Sequence, residues 1–209
     1  MKTLTLLLAC FAPSLSALAG NETSLEFSPL FNGEDLTGWV GQGYEVHEGA
    51  IVCTPEGKNL HTEKTFTNYV FDFEFKLPPA GNNGIGLHYP GQGNPADTGI
   101  EVQILDNTAE KYKKLKPWQF HGSLYYFKAA ERGFLKPLGE WNAQRIIVDG
   151  PRVEIILNGH SILKANLDEL APKKPEHEGI KRRSGHLAFC GHGDRVAYRK
   201  VRLAELPAD

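Results

Sequence analysis

The chain has 209 residues and a formal net charge of −2, with 23 basic and 25 acidic side chains interspersed along it. This balance gives little support to nucleic-acid binding, which needs a strongly basic patch. Three cysteines are too few for a disulfide-stapled scaffold. The length suits one domain with a substantial core.

The first 19 residues predict a cleaved export signal. Lys2 supplies the positive start, residues 4–11 form a short apolar run, and the run Ala17-Leu18-Ala19 has the small residues of a signal-peptidase site. We expect cleavage after Ala19 and a periplasmic or secreted location. Lipoprotein processing at Cys10 is a less favoured alternative, because it would leave an unusually short hydrophobic region. No later segment approaches the roughly 20 apolar residues that span a bilayer, so an integral membrane protein is not expected.

Residues 20–209 are predicted to form a single all-β domain, with a core from about residue 27 to 206. Short alternating or apolar runs recur between Gly, Pro, Asn and Asp, and no long helical pattern occurs, which is typical of an antiparallel sandwich or barrel. Residues 167–180 are expected to form a surface loop, with a helical turn at 167–170. In chain order, the predicted strands cover residues 44–46, 50–53, 68–77, 82–88, 99–107, 141–148, 152–157, 161–165, 185–190 and 197–206.

The two strands at 82–88 and 99–107, joined by a Gly/Pro-rich loop at 89–98, carry a polar patch. Because side chains alternate along a strand, Ile85 and Leu87 are expected on one face with Val102 and Ile104. The opposite face is then expected to carry His88, Glu101 and Gln103. Packing in a core explains the apolar set, and the polar set is a candidate site.

Two cysteines, Cys53 and Cys190, remain after removal of the export signal. They form one bridge in an oxidising compartment, or both are small buried residues. The sequence leaves both alternatives open.

Several motifs occur in the order known from one family. They are LFNGEDLTGW at 30–39, GNNGIGL at 81–87, GIEVQILDN at 99–107, GEWN at 139–142, LNG at 157–159 and GHGD at 191–194. In these motifs the chain resembles the 3-keto-disaccharide hydrolase family, from about residue 27 to 206. Two positions differ from the common family pattern: His88 stands in place of an arginine, and Cys190-Gly191 in place of Gln-Asp.

The resemblance implies a concanavalin A-like jelly-roll sandwich of two antiparallel sheets, whose concave sheet carries a sugar cleft. It also implies cleavage of glycosides that carry a ketone at C3, through abstraction of the C2 proton, elimination and hydration. A carbohydrate is then the expected partner, supplied in its keto form by an upstream sugar oxidoreductase. The alternative is a non-catalytic, lectin-like carbohydrate-binding module, since one fold hosts both functions.

The predicted catalytic residues are Glu101, which lies in the middle of its strand, and His192, which lies between two glycines and titrates near neutrality. For Glu101 the alternative is a solvated carboxylate on a sheet face. A divalent metal ion is an open alternative, held if present by His88, Glu101 and His192, because two imidazoles and a carboxylate suit such an ion. The substrate-binding candidates are His88, Gln103, Glu74, Tyr125 and Asp194.

Overall fold

The structure is a computed structural model that describes residues 25–207. The predicted export signal and the alternative processing site at Cys10 lie outside these described residues. Between residues 25 and 207, no helix is long and apolar enough to cross a membrane.

The strands form two antiparallel sheets. The eight-stranded sheet has the order β11-β10-β9-β6-β13-β4-β3, with β1 also paired to β13, and the five-stranded sheet has the order β2-β5-β12-β7-β8. The larger sheet contains β1 (Ser28–Pro29), β3 (Tyr44–His47), β4 (Ala50–Cys53), β6 (Tyr69–Lys76), β9 (Trp141–Asp149), β10 (Arg152–Leu157), β11 (His160–Asn166) and β13 (Ala197–Glu205). The smaller sheet contains β2 (Trp39–Gly41), β5 (Asn59–Thr62), β7 (Asn82–Tyr89), β8 (Ile100–Leu105) and β12 (His186–Cys190).

The apolar faces of the two sheets enclose a hydrophobic core, as the alternation along β6 predicts. Phe71, Phe73 and Phe75 are buried, whereas the residues between them are only partly covered. Phe189 of β12 stacks on Tyr198 of β13 with ring centroids 4.0 Å apart, so aromatic packing joins one sheet to the other. The predicted all-β jelly-roll sandwich is therefore confirmed.

Local sequence signals account for several connections. The β3–β4 hairpin turns at Glu48 and Gly49, whose positive φ angles of 50° and 70° match the right-handed twist of the flanking strands. The predicted helical turn is present as α2 (Leu167–Leu170). The segment that follows α2 is more than a surface loop, because His177 and Ile180 are buried.

The connection between β7 and β8 differs from the expected irregular loop. It contains a one-turn helix, α1 (Pro95–Thr98), and Asn94 caps it by accepting a hydrogen bond from the Ala96 amide at 3.0 Å. Residues 90–98, which we call the strap, lie across the outer face of the five-stranded sheet. Asn59 of β5 donates to the Gly93 carbonyl at 3.2 Å, so the strap reaches from β7 over β12 to β5.

The two cysteines are free and buried. The structure thus has the second of the two alternatives, and Cys53 and Cys190 belong to different sheets.

Candidate functional site

The outer face of the five-stranded sheet has a floor of small residues beside Glu101. Glu101 of β8 pairs with Gly86 of β7, which pairs in turn with Ala188 of β12. One row further along, Gln103 pairs with Gly84. Because the side chains of this floor are short, there is room above β7 for the side chains of Glu101 and Gln103.

Glu101 lies against that floor and is 5% exposed. Its Oε1 atom is buried and has no hydrogen-bond partner among the described residues. A methyl group at position 84 would lie 1.9 Å from this Oε1, so the position of the carboxyl group requires glycine there. An unpaired buried carboxyl oxygen is costly for the fold, which makes Glu101 a candidate for function rather than stability.

The environment of Glu101 favours its neutral form. Burial raises its pKa to about 8, and the nearby negative charge of Asp97 in α1 adds to this effect. At neutral pH most of the Glu101 side chains therefore hold a proton. A carboxylic acid of this kind can donate a hydrogen bond or a proton to a bound ligand.

Two further polar side chains accompany Glu101 on the same face. Gln103 is 5% exposed and donates through Nε2 to Asn82 Oδ1 at 3.0 Å, which fixes its amide. Cys190 of β12 has its pKa raised well above the usual value, first by burial and second by the charge of Glu101. One of the two positions where this chain departs from the common family pattern is thus beside the candidate acid.

An aromatic cluster borders Glu101 on the side beyond β8. The Tyr125 amide donates to the Glu101 carbonyl at 2.9 Å, and Leu124 pairs with Val102, so residues 123–125 extend the sheet. Opposite residues in an antiparallel pair face the same side, which puts Tyr125 on the face of Glu101. Its ring lies 4.8 Å from Trp118 and 4.7 Å from Tyr126 between centroids. All three rings are partly exposed and can stack on an apolar ligand face.

His192 and Asp194 follow the end of β12. The Gly191 amide donates to the Lys58 carbonyl at 2.7 Å, which anchors the loop next to β5. His192 is exposed, yet the surrounding protein lowers its pKa, while the charge of Asp194 opposes this shift. A neutral imidazole of this kind can accept a proton.

The expectation that His88 shares a face with Glu101 is wrong. The pairing of β12 with β7 shifts register between His186 and Ala188, which leaves a bulge at His88 with a φ of 52°. The bulge turns the ring inward, where it packs edge to face against Tyr69 of the opposite sheet at 6.4 Å between centroids. Burial lowers the pKa of His88 to about 4, so it is a neutral core residue.

Glu74 also lies away from Glu101, contrary to expectation, because β6 belongs to the eight-stranded sheet. The proposed metal triad of His88, Glu101 and His192 does not form either, since His88 faces the core. Among residues 25–207, no group of three or more His, Cys, Asp or Glu side chains is arranged to hold a metal ion.

Asp97 is the neighbour of Glu101 that the sequence interpretation missed. The run Asn94-Pro95-Ala96-Asp97 carries a usable signal, because Asn at the cap and Pro in the first turn predict a helix start. That signal predicts the helical turn, but not that the turn lies over β7. Tyr126, beside Tyr125, has a φ of 71°, which marks a strained position, and its side chain lies near Asp97.

The fold and the site define a jelly-roll sandwich with a carboxyl group of raised pKa buried on its smaller sheet. The family described as 3-keto-alpha-glucoside-1,2-lyase-like domain matches residues 26–204, and the chain belongs to this family.

Individual relatives agree with this assignment. A 3-keto-disaccharide hydrolase from Bacteroides thetaiotaomicron is 26% identical over 226 residues, covering 85% of this chain and 77% of its own. The crystal structure of a candidate glycosyl hydrolase from Parabacteroides distasonis is similar with a TM-score of 0.75 and 27% identity, covering 87% of this chain and 94% of its own. A carbohydrate-binding module from Bacillus subtilis shares the fold alone, with a TM-score of 0.55 and 10% identity over 81% of this chain and 96% of its own.

Proposed function

We propose that this chain is an exported carbohydrate-active enzyme that cleaves the glycosidic bond of 3-keto-glycosides. The observation that carries the proposal is the Glu101 carboxyl group, buried without a partner for Oε1 on a floor of small residues. Family membership and the name of the Bacteroides thetaiotaomicron relative support the substrate class.

A ketone at C3 makes the proton at C2 acidic, so the cleavage divides between a base and an acid. The base removes the C2 proton, and the electron pair of that C–H bond forms the enolate. The enolate then expels the C1 oxygen, which takes a proton from the acid as the C1–O bond breaks. Water adds across the resulting C1–C2 double bond, with hydroxide at C1 and a proton at C2, and releases the free 3-keto sugar.

The two predicted catalytic residues suit these two roles. Glu101 has a pKa of about 8 and holds a proton at neutral pH, so it is assigned as the acid. His192 has a lowered pKa and is neutral, so it is assigned as the base. In the same proposal Gln103 and Asp194 bind sugar hydroxyl groups, and Tyr125 stacks on a ring.

The test is incubation of the purified mature protein with 3-keto-glycosides and with their unoxidised parents, each with and without a chelator. We expect release of the aglycone from the keto forms only. Glu101→Gln should lower turnover by about 100-fold or more while sugar affinity persists. Glu154→Gln, a carboxylate on β10 of the other sheet that bonds to Ser161 and Lys164, is the control and should keep full turnover.

A non-catalytic binding module is the second candidate, favoured by the partly exposed cluster of Trp118, Tyr125 and Tyr126. Binding of both sugar sets without release from either would favour it and overturn the enzyme assignment. Export is part of the proposal and is checked by fractionation: the mature chain should begin at Gly20 outside the cytoplasm. An enzyme of this kind also requires a sugar oxidoreductase that oxidises C3 of its substrate.

A further inference from the structure

A groove lies on the opposite side of the molecule from Glu101. It has a volume of about 740 Å³, within the range of about 300–1,000 Å³ typical of ligand sites, and it opens on the outer face of the eight-stranded sheet. One row of paired residues crosses it: Ile156 of β10, Arg145 of β9, Asp72 of β6, Arg202 of β13 and Pro29 of β1. The groove therefore runs across the strands.

Cations outnumber carboxylates in and beside this groove. Asp72 is bonded by Arg145 and Arg202, and Glu74 by Arg199 and Lys200, so four positive side chains meet two negative ones. The surplus of two positive charges contrasts with the formal net charge of −2 for the whole chain. The carboxylates lie deep, with side chains 14% and 19% exposed, whereas Arg202 and Lys200 are 52% and 66% exposed. A ligand entering the groove meets the cations first.

The hydrogen-bonding capacity is also one-sided. A guanidinium group carries five N–H groups. Arg145 uses two of its five to bond to Asp72, and Arg202 uses one. Asp72 thereby has both oxygens occupied, and so has Glu74 by Arg199 and Lys200. The groove therefore has free hydrogen-bond donors and few free hydrogen-bond acceptors. A ligand that binds there needs hydrogen-bond acceptors.

Two local features hold the cations in place. The ring of Phe27 packs against the guanidinium groups of Arg202 and Arg145, at 4.5 and 5.6 Å from its centroid. Lys200 sits in a bulge where the pairing of β13 with β6 shifts register, with a φ of 52°. Bulges of this kind redirect a side chain out of the regular ladder, and they are frequent beside binding sites.

We propose that this groove binds an acidic oligosaccharide, through its carboxylate or sulfate groups, as a site separate from Glu101. The surplus positive charge and the free donors favour an anionic ligand. The volume and the apolar walls formed by Pro29, Phe31 and Ile156 favour sugar rings over a small inorganic ion. The proposal goes beyond the cleavage reaction and does not depend on it.

The test is calorimetric titration of the full mature protein, at low salt, with a short oligogalacturonate, a sulfated oligosaccharide, a neutral oligosaccharide of the same length, and inorganic sulfate. We expect at least one of the two acidic saccharides to bind about tenfold or more tightly than the neutral one and than sulfate, with an affinity that falls as salt is added. The two acidic arms distinguish carboxylate from sulfate recognition. Since no keto sugar is present, the result is independent of the proposed cleavage.

Two variants locate the binding. Lys200→Gln combined with Arg202→Gln should weaken binding by about tenfold, because two exposed charged donors are lost while Arg199 and Arg145 still bond the carboxylates. Arg195→Gln is the matched control: its side chain is also 52% exposed and pairs with Glu45 at 2.8 Å outside the groove, and it should bind normally. Equal affinity for acidic and neutral saccharides, affinity for sulfate alone, no binding by the wild type, or an unchanged double variant would each overturn the proposal.

Discussion

Carboxylates on the two outer faces of the sandwich occupy opposite environments. On the eight-stranded sheet, Asp72 and Glu74 are each bonded by two cations. Burial would raise the pKa of Glu74, but hydrogen bonds from Lys200 and Arg199 outweigh it and hold that pKa below its usual value. Both carboxylates are paired with cations.

On the five-stranded sheet, Glu101 has a buried oxygen without a partner and another acid, Asp97, nearby. Its pKa moves in the opposite direction, to about 8. Carboxyl groups therefore form ion pairs on one face, whereas on the other face the carboxyl group of Glu101 retains its proton at neutral pH. Alternation along a strand predicts an outward carboxylate both for Glu101 and for the two acids of β6. The feature that distinguishes Glu101 from them is burial without a counter-ion.

The largest expected effect comes from filling the space that Glu101 uses. In Gly84→Ala the new methyl group would lie 1.9 Å from Oε1 and displace the carboxyl group by an ångström or more. We expect kcat on a 3-keto-glycoside to fall about 100-fold, the usual scale for such a misplacement. Gly84→Ala combined with Glu101→Ala should regain the melting temperature that the single variant loses, because the collision is gone. Unchanged turnover in Gly84→Ala would mean that Glu101 does not act from the observed position.

The second effect is on the pH dependence of stability. Glu101 has a pKa of about 8 when folded and near 4.5 when unfolded, so between these values the folded state binds the extra proton. The free energy of unfolding should therefore fall as pH rises through this window, by up to about 1.4 kcal/mol per pH unit. Urea unfolding at about pH 5.5 and pH 8.5 measures the slope. Glu101→Gln should flatten it, and parallel slopes for both proteins would contradict a protonated Glu101.

A smaller effect is expected from the opposite face. Asp72→Asn removes the charge that binds Arg145 at 2.6 and 2.8 Å and should lower the free energy of unfolding by about 1 kcal/mol. At about pH 8, Glu101→Gln should raise the same quantity, because it removes a charge that forms without a partner. Urea denaturation of both variants under one condition tests whether the signs differ. Equal signs would remove the contrast between the two faces.

Local patterns were sufficient for much of this architecture. Alternation in β6 predicts which residues face the core, and the same period puts Glu101 and Gln103 on one outer face. The Asn158-Gly159 turn and the helical turn of α2 also follow from short-range signals. In each case the determining interactions lie within a few residues.

Errors arose where the determining contact is distant in sequence. The inward turn of His88 depends on a bulge against β12, about a hundred residues later. Glu74 lies apart from the other candidates because β6 joins the eight-stranded sheet, and nothing in its sequence shows which sheet it joins. The approach of Asp97 to Glu101 depends on the path of the strap, which a hydrogen bond from Asn59 of β5 fixes.

The smallest expected effect concerns His88, a second buried titratable group of the five-stranded sheet. Its pKa is about 4 when folded and near 6.5 when unfolded, so the unfolded chain takes up the proton first as pH falls. Stability from this group is present above about pH 6.5 and is lost towards pH 4, the reverse of the Glu101 effect. Between about pH 7 and pH 6, the wild type should lose about 0.7 kcal/mol more than His88→Leu in urea unfolding. His121, with a pKa lowered to about 3 by burial, acts in the same direction in both proteins, so their difference isolates His88. Equal losses would mean that the His88 ring reaches solvent when it is protonated. The bulge in β7 would then not account for the position of His88 away from Glu101.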